Sequence, residues 1–380
     1  MQGRPRRSVL YMPGSNARAL QKAKTLSADA LIFDLEDAVA PDDKVMAREQ
    51  VCAAVTDGGY GGREVVIRVN ALETPWGAAD IIAACDAAPD AILIPKVIHS
   101  GDIISAAKLL QSVHAHENVR LWAMMETPMA ILNARTIAAR AVYDDNRLDC
   151  LIMGTNDLIK ESRARALHDR LAVVPWLAMT LAAARAYKLD IIDGVYNDFR
   201  DVEGFRDECE KGRILGMDGK TLIHPSQVGP CNEIISPSDE EVEWSRKVID
   251  AFGLPENEKK GVIVVEGQMV ERLHFGMAQR GVEIADQIRA LDESIGSWDQ
   301  TSLACAPAPR HNPAWCRDRT CKAHQSTRLA FSPGSSRPAI SISETISARS
   351  NASWRCRRIT TACSAWWTCT PLPCSRTRTN

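Results

Sequence analysis

Eight short apolar runs, rich in β-branched and aliphatic side chains and bounded by Gly, Pro or Asp, recur through the first 225 residues. They cover residues 8–12, 30–33, 64–69, 91–94, 119–125, 148–153, 189–192 and 221–223, and they predict β-strands. Between them the apolar positions recur every three or four residues. That spacing predicts helices over 17–26, 44–55, 78–87, 100–114, 129–143, 175–186 and 201–215. Strand and helix in alternation, eight strands over about 220 residues, is the rhythm of a (β/α)8 TIM barrel, whose C-terminal strand ends share one face. A doubly wound α/β sheet is the alternative. It would carry a glycine-rich fingerprint after the first strand, and Tyr11-Met-Pro-Gly-Ser15 is not GxGxxG.

The pattern changes after the eighth strand. Residues 238–252 form an amphipathic period opened by Ser238-Asp-Glu-Glu, residues 262–268 suggest a short hairpin, and 273–291 predict a long helix. Three parts follow: a barrel over 1–234, a small helical and hairpin appendage over 235–297, and a tail over 298–380.

The tail differs in composition from everything before it. It holds seven of the twelve cysteines, five of the nine tryptophans, eleven arginines and three acidic residues, with Gly334 its only glycine and Lys322 its only lysine. No apolar period persists there. A zinc module would need closely spaced ligands, yet no CxxC pair occurs and His311 and His324 are the only histidines. A disordered basic tail seldom carries so much Trp and Cys. The segment reads best as out-of-frame translation of GC-rich coding DNA, and no function is assigned to it.

Charge and hydropathy narrow the class of protein. Hydrophobic residues make up 45% and charged residues 25%, which suits a soluble protein with a sizeable core. No run approaches the roughly 18 apolar residues of a membrane span. The basic start Met1-Gln-Gly-Arg-Pro-Arg-Arg7 precedes an apolar run too short for a signal peptide, so a cytoplasmic location is the default expectation. Residues 1–297 hold 34 basic and 45 acidic side chains, a net charge of −11. An acidic body argues against nucleic acid as the main partner and leaves room for a local basic site.

Candidate chemistry clusters where the strands end. Asp34-Leu-Glu-Asp37, Arg68 and Asn70, Pro95-Lys96, Glu126-Thr-Pro128, Asn156-Asp157, Asp193 and His224 each follow an apolar run. In a parallel barrel they meet on one rim. Carboxylates gathered without a basic cluster suit a hard divalent cation, and Glu126 with Asp157 is the best ligand pair for Mg²⁺. Thr127 and Pro128 supply a helix cap and first-turn proline directly after Glu126, pinning it at its strand end. Asp34, Glu36 and Asp37 are expected behind the metal, binding its waters and Arg68. Arg68 lies inside an apolar strand and must pair with a carboxylate of the protein or of the substrate. Arg18, Lys22 and Lys24, after the Pro13-Gly-Ser-Asn16 turn, suit phosphates or form a solvated helix face. Gly216-Met-Asp-Gly-Lys-Thr221 is not a phosphate loop, because Ile214 stands where the first glycine belongs. Cys52, Cys85, Cys150, Cys209 and Cys231, scattered singly, are core fillers.

Taken in order, Arg7-Ser-Val-Leu-Tyr-Met-Pro-Gly14, Phe33-Asp-Leu-Glu-Asp-Ala-Val39, Ile67-Arg-Val-Asn70, Ile94-Pro-Lys-Val97, Glu126-Thr-Pro128 and Gly216-Met-Asp-Gly-Lys220 with Ile223-His-Pro-Ser-Gln227 closely resemble the citrate lyase β-subunit-like CoA-ester lyases of the HpcH/HpaI aldolase superfamily. The resemblance covers about residues 4–290. It implies a TIM barrel with Mg²⁺, or Mn²⁺ in its place, on Glu126 and Asp157, and Arg68 gripping the substrate. It implies coenzyme A near Arg18, Lys22 and Lys24, with Pro95 and Lys96 as further substrate contacts. The implied reaction is reversible cleavage of a malyl-, citramalyl- or citryl-CoA ester to an acyl-CoA and an oxo acid, with Arg68, Asp37 and Glu271 as catalytic groups. A homo-oligomer, trimer or hexamer, is implied as well. Related malyl-CoA lyases carry an aspartate in a Gly-x-Met-[Ile/Val]-Asp segment that serves a neighbouring subunit; here the segment is Gly267-Gln-Met-Val-Glu271. Other readings are a citrate lyase β subunit acting on a carrier-bound citryl group, a CoA-independent hydroxy-keto-acid aldolase, and a CoA-binding regulator without turnover.

Overall fold

Eight parallel strands close into a barrel in the computed structural model, which describes residues 4–165 and 170–301. The strands are β1 (Ser8–Pro13), β2 (Ala30–Asp34), β3 (Glu64–Arg68), β4 (Ala91–Ile94), β5 (Arg120–Met125), β6 (Leu148–Met153), β7 (Asp190–Asp193) and β8 (Gly219–Leu222). Their order around the barrel is their order in the chain, and β8 pairs with β1 to close it. The helices between them are α1 (Ala17–Ala23), α2 (Lys44–Asp57), α3 (Gly77–Ala87), α4 (Ser100–Ser112), α5 (Pro128–Leu132), α6 (Ala134–Ala138), α7 (Thr155–Ser162), α8 (Val174–Ala186) and α9 (Val202–Leu215). The fold class read from the hydrophobic pattern stands. From residue 302 onward the tail lies outside the described residues.

Strand alternation divides the core in two. Val9, Ala30, Ile32, Val66, Leu93, Trp122, Met124, Ile152 and Ile192 fill the barrel interior. Leu10, Leu31, Phe33, Ile67, Ile92, Leu121 and Leu151, on the other face of the same strands, pack against the helices. Because side chains alternate with a period of two, the interior positions that follow at the strand ends are Asp34, Arg68 and Glu126. The pleat itself aims them into the mouth.

Three local differences from the sequence pattern have physical causes. Residues 129–143, expected as one helix, form α5 and α6 followed by 3-10 turns, because Asn133 leaves helical geometry (φ −98°, ψ 5°) and its amide donates to the Ile98 carbonyl at 2.7 Å. Strand β8 begins at Gly219, two residues before the expected start; a Cβ there would stand 1.7 Å from the Arg6 carbonyl oxygen, so the approach of the chain before β1 requires glycine. Helix α7 and the later α10 (Val228–Ile235) have eight residues each, too few to display a period.

Lys220, in the run that only superficially resembles a phosphate loop, is 1% exposed. Its ammonium lies 2.6 Å from Glu208 and 3.1 Å from Asp193, and donates to the Gly194 carbonyl. Arg170 adds a two-pronged contact to Asp193 at 2.7 Å on each oxygen. Burial would raise the Asp193 carboxyl, but Lys220 and Arg170 outweigh it and hold it down at about 2. This network ties β7 and β8 to α9 behind the barrel wall.

The appendage comprises α11 (Asp239–Gly253), the antiparallel hairpin β9 (Val262–Val265) with β10 (Gln268–Glu271), and α12 (Arg272–Thr301), the last longer than the sequence suggested. A capping box between Ser238 and Glu241 opens α11. Val248, Phe252, Ile263, Val265, Val270 and Ala278 form the appendage's own small core. Helix α12 crosses the end of the barrel where the strands begin: Arg280 lies 3.2 Å from Asp218, just before β8, and Asp292 lies 3.1 Å from Arg7, just before β1. The appendage therefore docks at the end opposite the strand-end carboxylates.

Candidate active site

At the C-terminal ends of β2 and β3, Arg68 and Asp34 make a closed pair. Arg68 Nε donates to Asp34 Oδ1 and Nη2 to Oδ2, both at 2.6 Å. Asp34 also accepts the backbone N–H of Glu36 at 2.9 Å and of Ala38 at 3.1 Å, which folds the Asp34–Asp37 turn over the guanidinium. The remaining nitrogen, Nη1, stands 3.8 Å from the Met124 sulfur, and the guanidinium lies 5.0 Å from the centre of the Tyr11 ring. Asp34 is thus a brace for Arg68.

Glu36 turns its carboxylate into the mouth. Arg68 Nη1 is 2.9 Å from its Oε2 but off the line of a hydrogen bond, so this buried oxygen has no donor among the described residues. Burial pushes the Glu36 carboxyl up to about 8; Arg68 opposes the shift and Glu126 adds to it. Asp37 is largely exposed, 3.7 Å from Arg68.

Glu126 ends β5 and is 2% exposed. Its Oε1 accepts the Lys96 backbone N–H at 2.6 Å, and the Lys96 ammonium lies 3.4 Å from Oε2. Burial raises the Glu126 carboxyl to about 7 against the pull of Lys96 and Arg68. Asp157, in the first turn of α7, receives the other contact of the Lys96 ammonium. Burial would raise Asp157, but Lys96 overrides it and holds the carboxyl below the usual range. Gly154 makes the approach of these two strand ends sterically feasible: a Cβ there would lie 2.3 Å from Glu126 Cβ.

Among the described residues no three His, Cys, Asp or Glu side chains gather tightly enough to coordinate an ion alone. Mg²⁺ does not need three, since one or two carboxylates with water and substrate oxygens suffice. The site has the charge surplus such an ion answers. Four carboxylates stand against two cations: Arg68 pairs with Asp34 and Glu36, and Lys96 with Glu126 and Asp157. The residues present fit a divalent cation on Glu126 and Asp157.

The structure brings together Arg68, Asp34, Glu36, Asp37, Lys96, Glu126 and Asp157. Lys96 points at the two carboxylates, an inward direction the sequence could not reveal, and adopts φ +52° after Pro95. Arg18 and Lys22 are exposed on α1. Lys24 is not at the mouth: its ammonium lies 5.2 Å from the Tyr60 ring, on the loop that enters β3 from the other end of the barrel. Glu271 belongs to the appendage and likewise does not join its own chain's mouth. Sequence reasoning missed Lys44. Its buried ammonium donates to the carbonyls of Leu35 at 2.8 Å and Glu36 at 2.7 Å, clamping the acidic turn. As a lone lysine at a helix start it carried no signal.

Comparison with known proteins agrees with this geometry. A family model described as HpcH/HpaI aldolase/citrate lyase matches residues 7–225, the stretch that builds the barrel. A (3S)-malyl-CoA thioesterase of Cereibacter sphaeroides is 48% identical over 293 residues, spanning 77% of this chain and 99% of the relative. An L-malyl-CoA/beta-methylmalyl-CoA lyase of the same species is 30% identical, over 76% of this chain and 96% of its own. The crystal structure of CitE from Mycobacterium tuberculosis in complex with magnesium, acetoacetate and coenzyme A superposes with a TM-score of 0.60 at 26% identity, covering 75% of this chain and all of that one. The strand-end carboxylates, the closed barrel and these matches lead to one assignment: the chain belongs to the HpcH/HpaI aldolase/citrate lyase family.

Proposed function

We propose that the chain is a Mg²⁺-dependent enzyme acting on a malyl-CoA-type 3-hydroxyacyl-CoA ester and that it hydrolyses the thioester. The observation that carries the reading is the surplus of carboxylate at the mouth, where Asp34, Glu36, Glu126 and Asp157 stand against two cations, Arg68 and Lys96. Hydrolysis is favoured by the 48% identity to a malyl-CoA thioesterase along nearly the whole of that relative. When bound on Glu126 and Asp157, Mg²⁺ would supply stabilisation of negative charge developing on a substrate oxygen.

The chain's own residues do the rest. Arg68, held rigid by Asp34, presents Nη1 toward the mouth as the group that orients the substrate carboxylate. Buried Met124 and half-buried Tyr11 form the wall beside it. Water adds to the thioester carbonyl, the C–S bond breaks, and coenzyme A leaves as the thiol with one of the water's protons. Glu271, carried on an appendage docked at the far end of the barrel, would serve as acid or base in a neighbouring subunit.

Cleavage of the C–C bond is the second reading, favoured by likeness to the malyl-CoA/beta-methylmalyl-CoA lyase. There the substrate hydroxyl loses its proton, the C–C bond breaks to leave an oxo acid, and the acyl-CoA carbanion is reprotonated. One experiment separates the two. Malyl-CoA is incubated with the protein, with and without Mg²⁺, and both free thiol and the acyl products are followed. Free coenzyme A with malate marks hydrolysis, and acetyl-CoA with glyoxylate and no early thiol marks lyase chemistry. If malyl-CoA is untouched in the presence of Mg²⁺, both readings fail.

A further inference from the structure

Among the described residues, two aromatic rings lie with the side chains that fill the barrel, and they face opposite ends. Trp122, on β5, lies 4.8 Å from the Arg6 guanidinium, where the strands begin. Tyr11, on β1 and paired in register with Ile32, lies against Arg68, whose guanidinium stands 5.0 Å from the ring centre. Phenylalanine would fill the same space and offer Arg68 the same face. The Tyr11 hydroxyl is therefore surplus to packing. It makes no hydrogen bond among the described residues, and, unlike the sealed hydroxyl of Tyr60, it is open to the mouth.

The charged groups that bear on this hydroxyl, Arg68, Asp34, Glu126 and Glu36, are those of the mouth. Burial pushes the phenol upward, Arg68 opposes the shift, and the three carboxylates add to it. A phenol so placed keeps its proton at neutral pH, so it donates a hydrogen bond and is not a base. The cationic donors nearby already have partners: Arg68 pairs with Asp34 and Glu36, and Lys96 with Glu126 and Asp157. Tyr11 has nothing to give up when a substrate oxygen arrives.

Hydrolysis and C–C cleavage put negative charge on the same atom. Addition of water places it on the thioester carbonyl oxygen of the tetrahedral adduct, and C–C cleavage places it on that oxygen of the enolate. A fixed donor to this oxygen lowers the barrier, because its hydrogen bond strengthens as the charge grows. We infer that the Tyr11 hydroxyl is a catalytic hydrogen-bond donor to the thioester carbonyl oxygen of the substrate. Tyr11 keeps its proton throughout, and in hydrolysis the thiol leaves with a proton from the water. The inference rests on the reading of the substrate as a malyl-CoA-type ester.

Tyr11→Phe tests it, since the ring and its contact with Arg68 remain and one oxygen is lost. Steady-state turnover of malyl-CoA by the full chain is followed beside a thermal melt and a calorimetric titration with Mg²⁺. The variant's kcat should fall about a hundredfold, the scale of losing one such donor. KM and Mg²⁺ affinity should stay as in wild type, and the melting temperature should hold or rise, because the hydroxyl has no partner to lose. Ring-fluorinated tyrosine in its place, which keeps the donor, should retain turnover. The role is overturned if Tyr11→Phe turns over malyl-CoA as wild type does, if only KM rises, or if lost turnover comes with weaker Mg²⁺ binding or a lower melting temperature. A wild type that leaves malyl-CoA untouched sinks the proposed function as well, whereas an active wild type with an equally active Tyr11→Phe sinks this role alone.

Discussion

Arg68 and Asp34 form a closed two-pronged pair, with both contacts at 2.6 Å, at the ends of adjacent strands. The pair leaves a single guanidinium nitrogen directed at the mouth, so Arg68 is a rigid pointer. Lysine can reach Asp34 with one ammonium but cannot brace itself and reach into the site together. Arg68→Lys should raise KM for the CoA ester by about tenfold or more while the fold is retained. Steady-state kinetics beside a thermal melt check this, and unchanged KM would remove Arg68 from substrate binding.

Glu126 and Asp157 come from adjacent strand ends and face one ammonium, and they are the proposed metal ligands. Glu126→Gln or Asp157→Asn should lower turnover by about 10²–10³, the scale of losing one charge-stabilising group in a site of this kind. Mg²⁺ binding, read by calorimetry, should weaken in parallel. A variant that keeps full activity in EDTA would refute the assignment.

These two carboxylates were legible in the sequence because barrel topology turns the end of every apolar run into a position on one rim. What was not legible concerns direction. Lys96 follows Pro95 as a surface lysine would, yet its left-handed backbone turns it inward onto Glu126. Lys24 keeps the same charge as Lys22 but hangs at the opposite barrel end, over Tyr60. Lys220 looked like part of a phosphate loop, and only the three-dimensional meeting of β7, β8 and α9 buries it against Asp193 and Glu208. Long apolar periods survive local detail; a single side chain's direction does not.

Glu36 and Glu126 give the mouth a defined pH response. Their carboxyls are raised in the folded protein to about 8 and about 7, from an ordinary value of 4.5. A raised carboxyl contributes stability that is fully present below pH 4.5 and is lost as pH rises through 7 and 8. In EDTA the melting temperature should therefore fall between pH 5 and pH 8, and Glu126→Gln should flatten that fall. Mg²⁺ replaces the proton as the counter-charge, so the melting-temperature gain from added Mg²⁺ should grow with pH. A gain independent of pH would show that these two groups do not face the ion.

Glu271 sits on the appendage, and Arg280 and Asp292 dock that appendage at the strand-start end of the barrel. Service to a neighbouring subunit predicts complementation. Glu271→Gln and Glu126→Gln should each be nearly inactive alone, while oligomers reassembled from a mixture should regain activity, since some sites then hold an intact pair. No recovery on mixing, with mixed oligomers verified by mass, would exclude a shared site.

Helix α12 runs to Thr301, four residues past the boundary drawn from the sequence, and it lies across the barrel end through Arg280, Asp292 and residues near Gly62. A cut at that boundary, after residue 297, would remove its last turn, so the informative truncation follows Thr301. The 48% identical thioesterase is matched over 99% of its length by only 77% of this chain, so the fold of that relative needs no counterpart to the remaining residues. The segment from 302 carries no sustained apolar period with which to pack against the barrel. Removing 302–380 should leave the melting temperature and turnover of malyl-CoA unchanged, and should improve solubility by deleting seven cysteines and four tryptophans. A truncated protein that melts several degrees lower, or a full chain that holds stoichiometric zinc lost on truncation, would make the tail a genuine part of the enzyme.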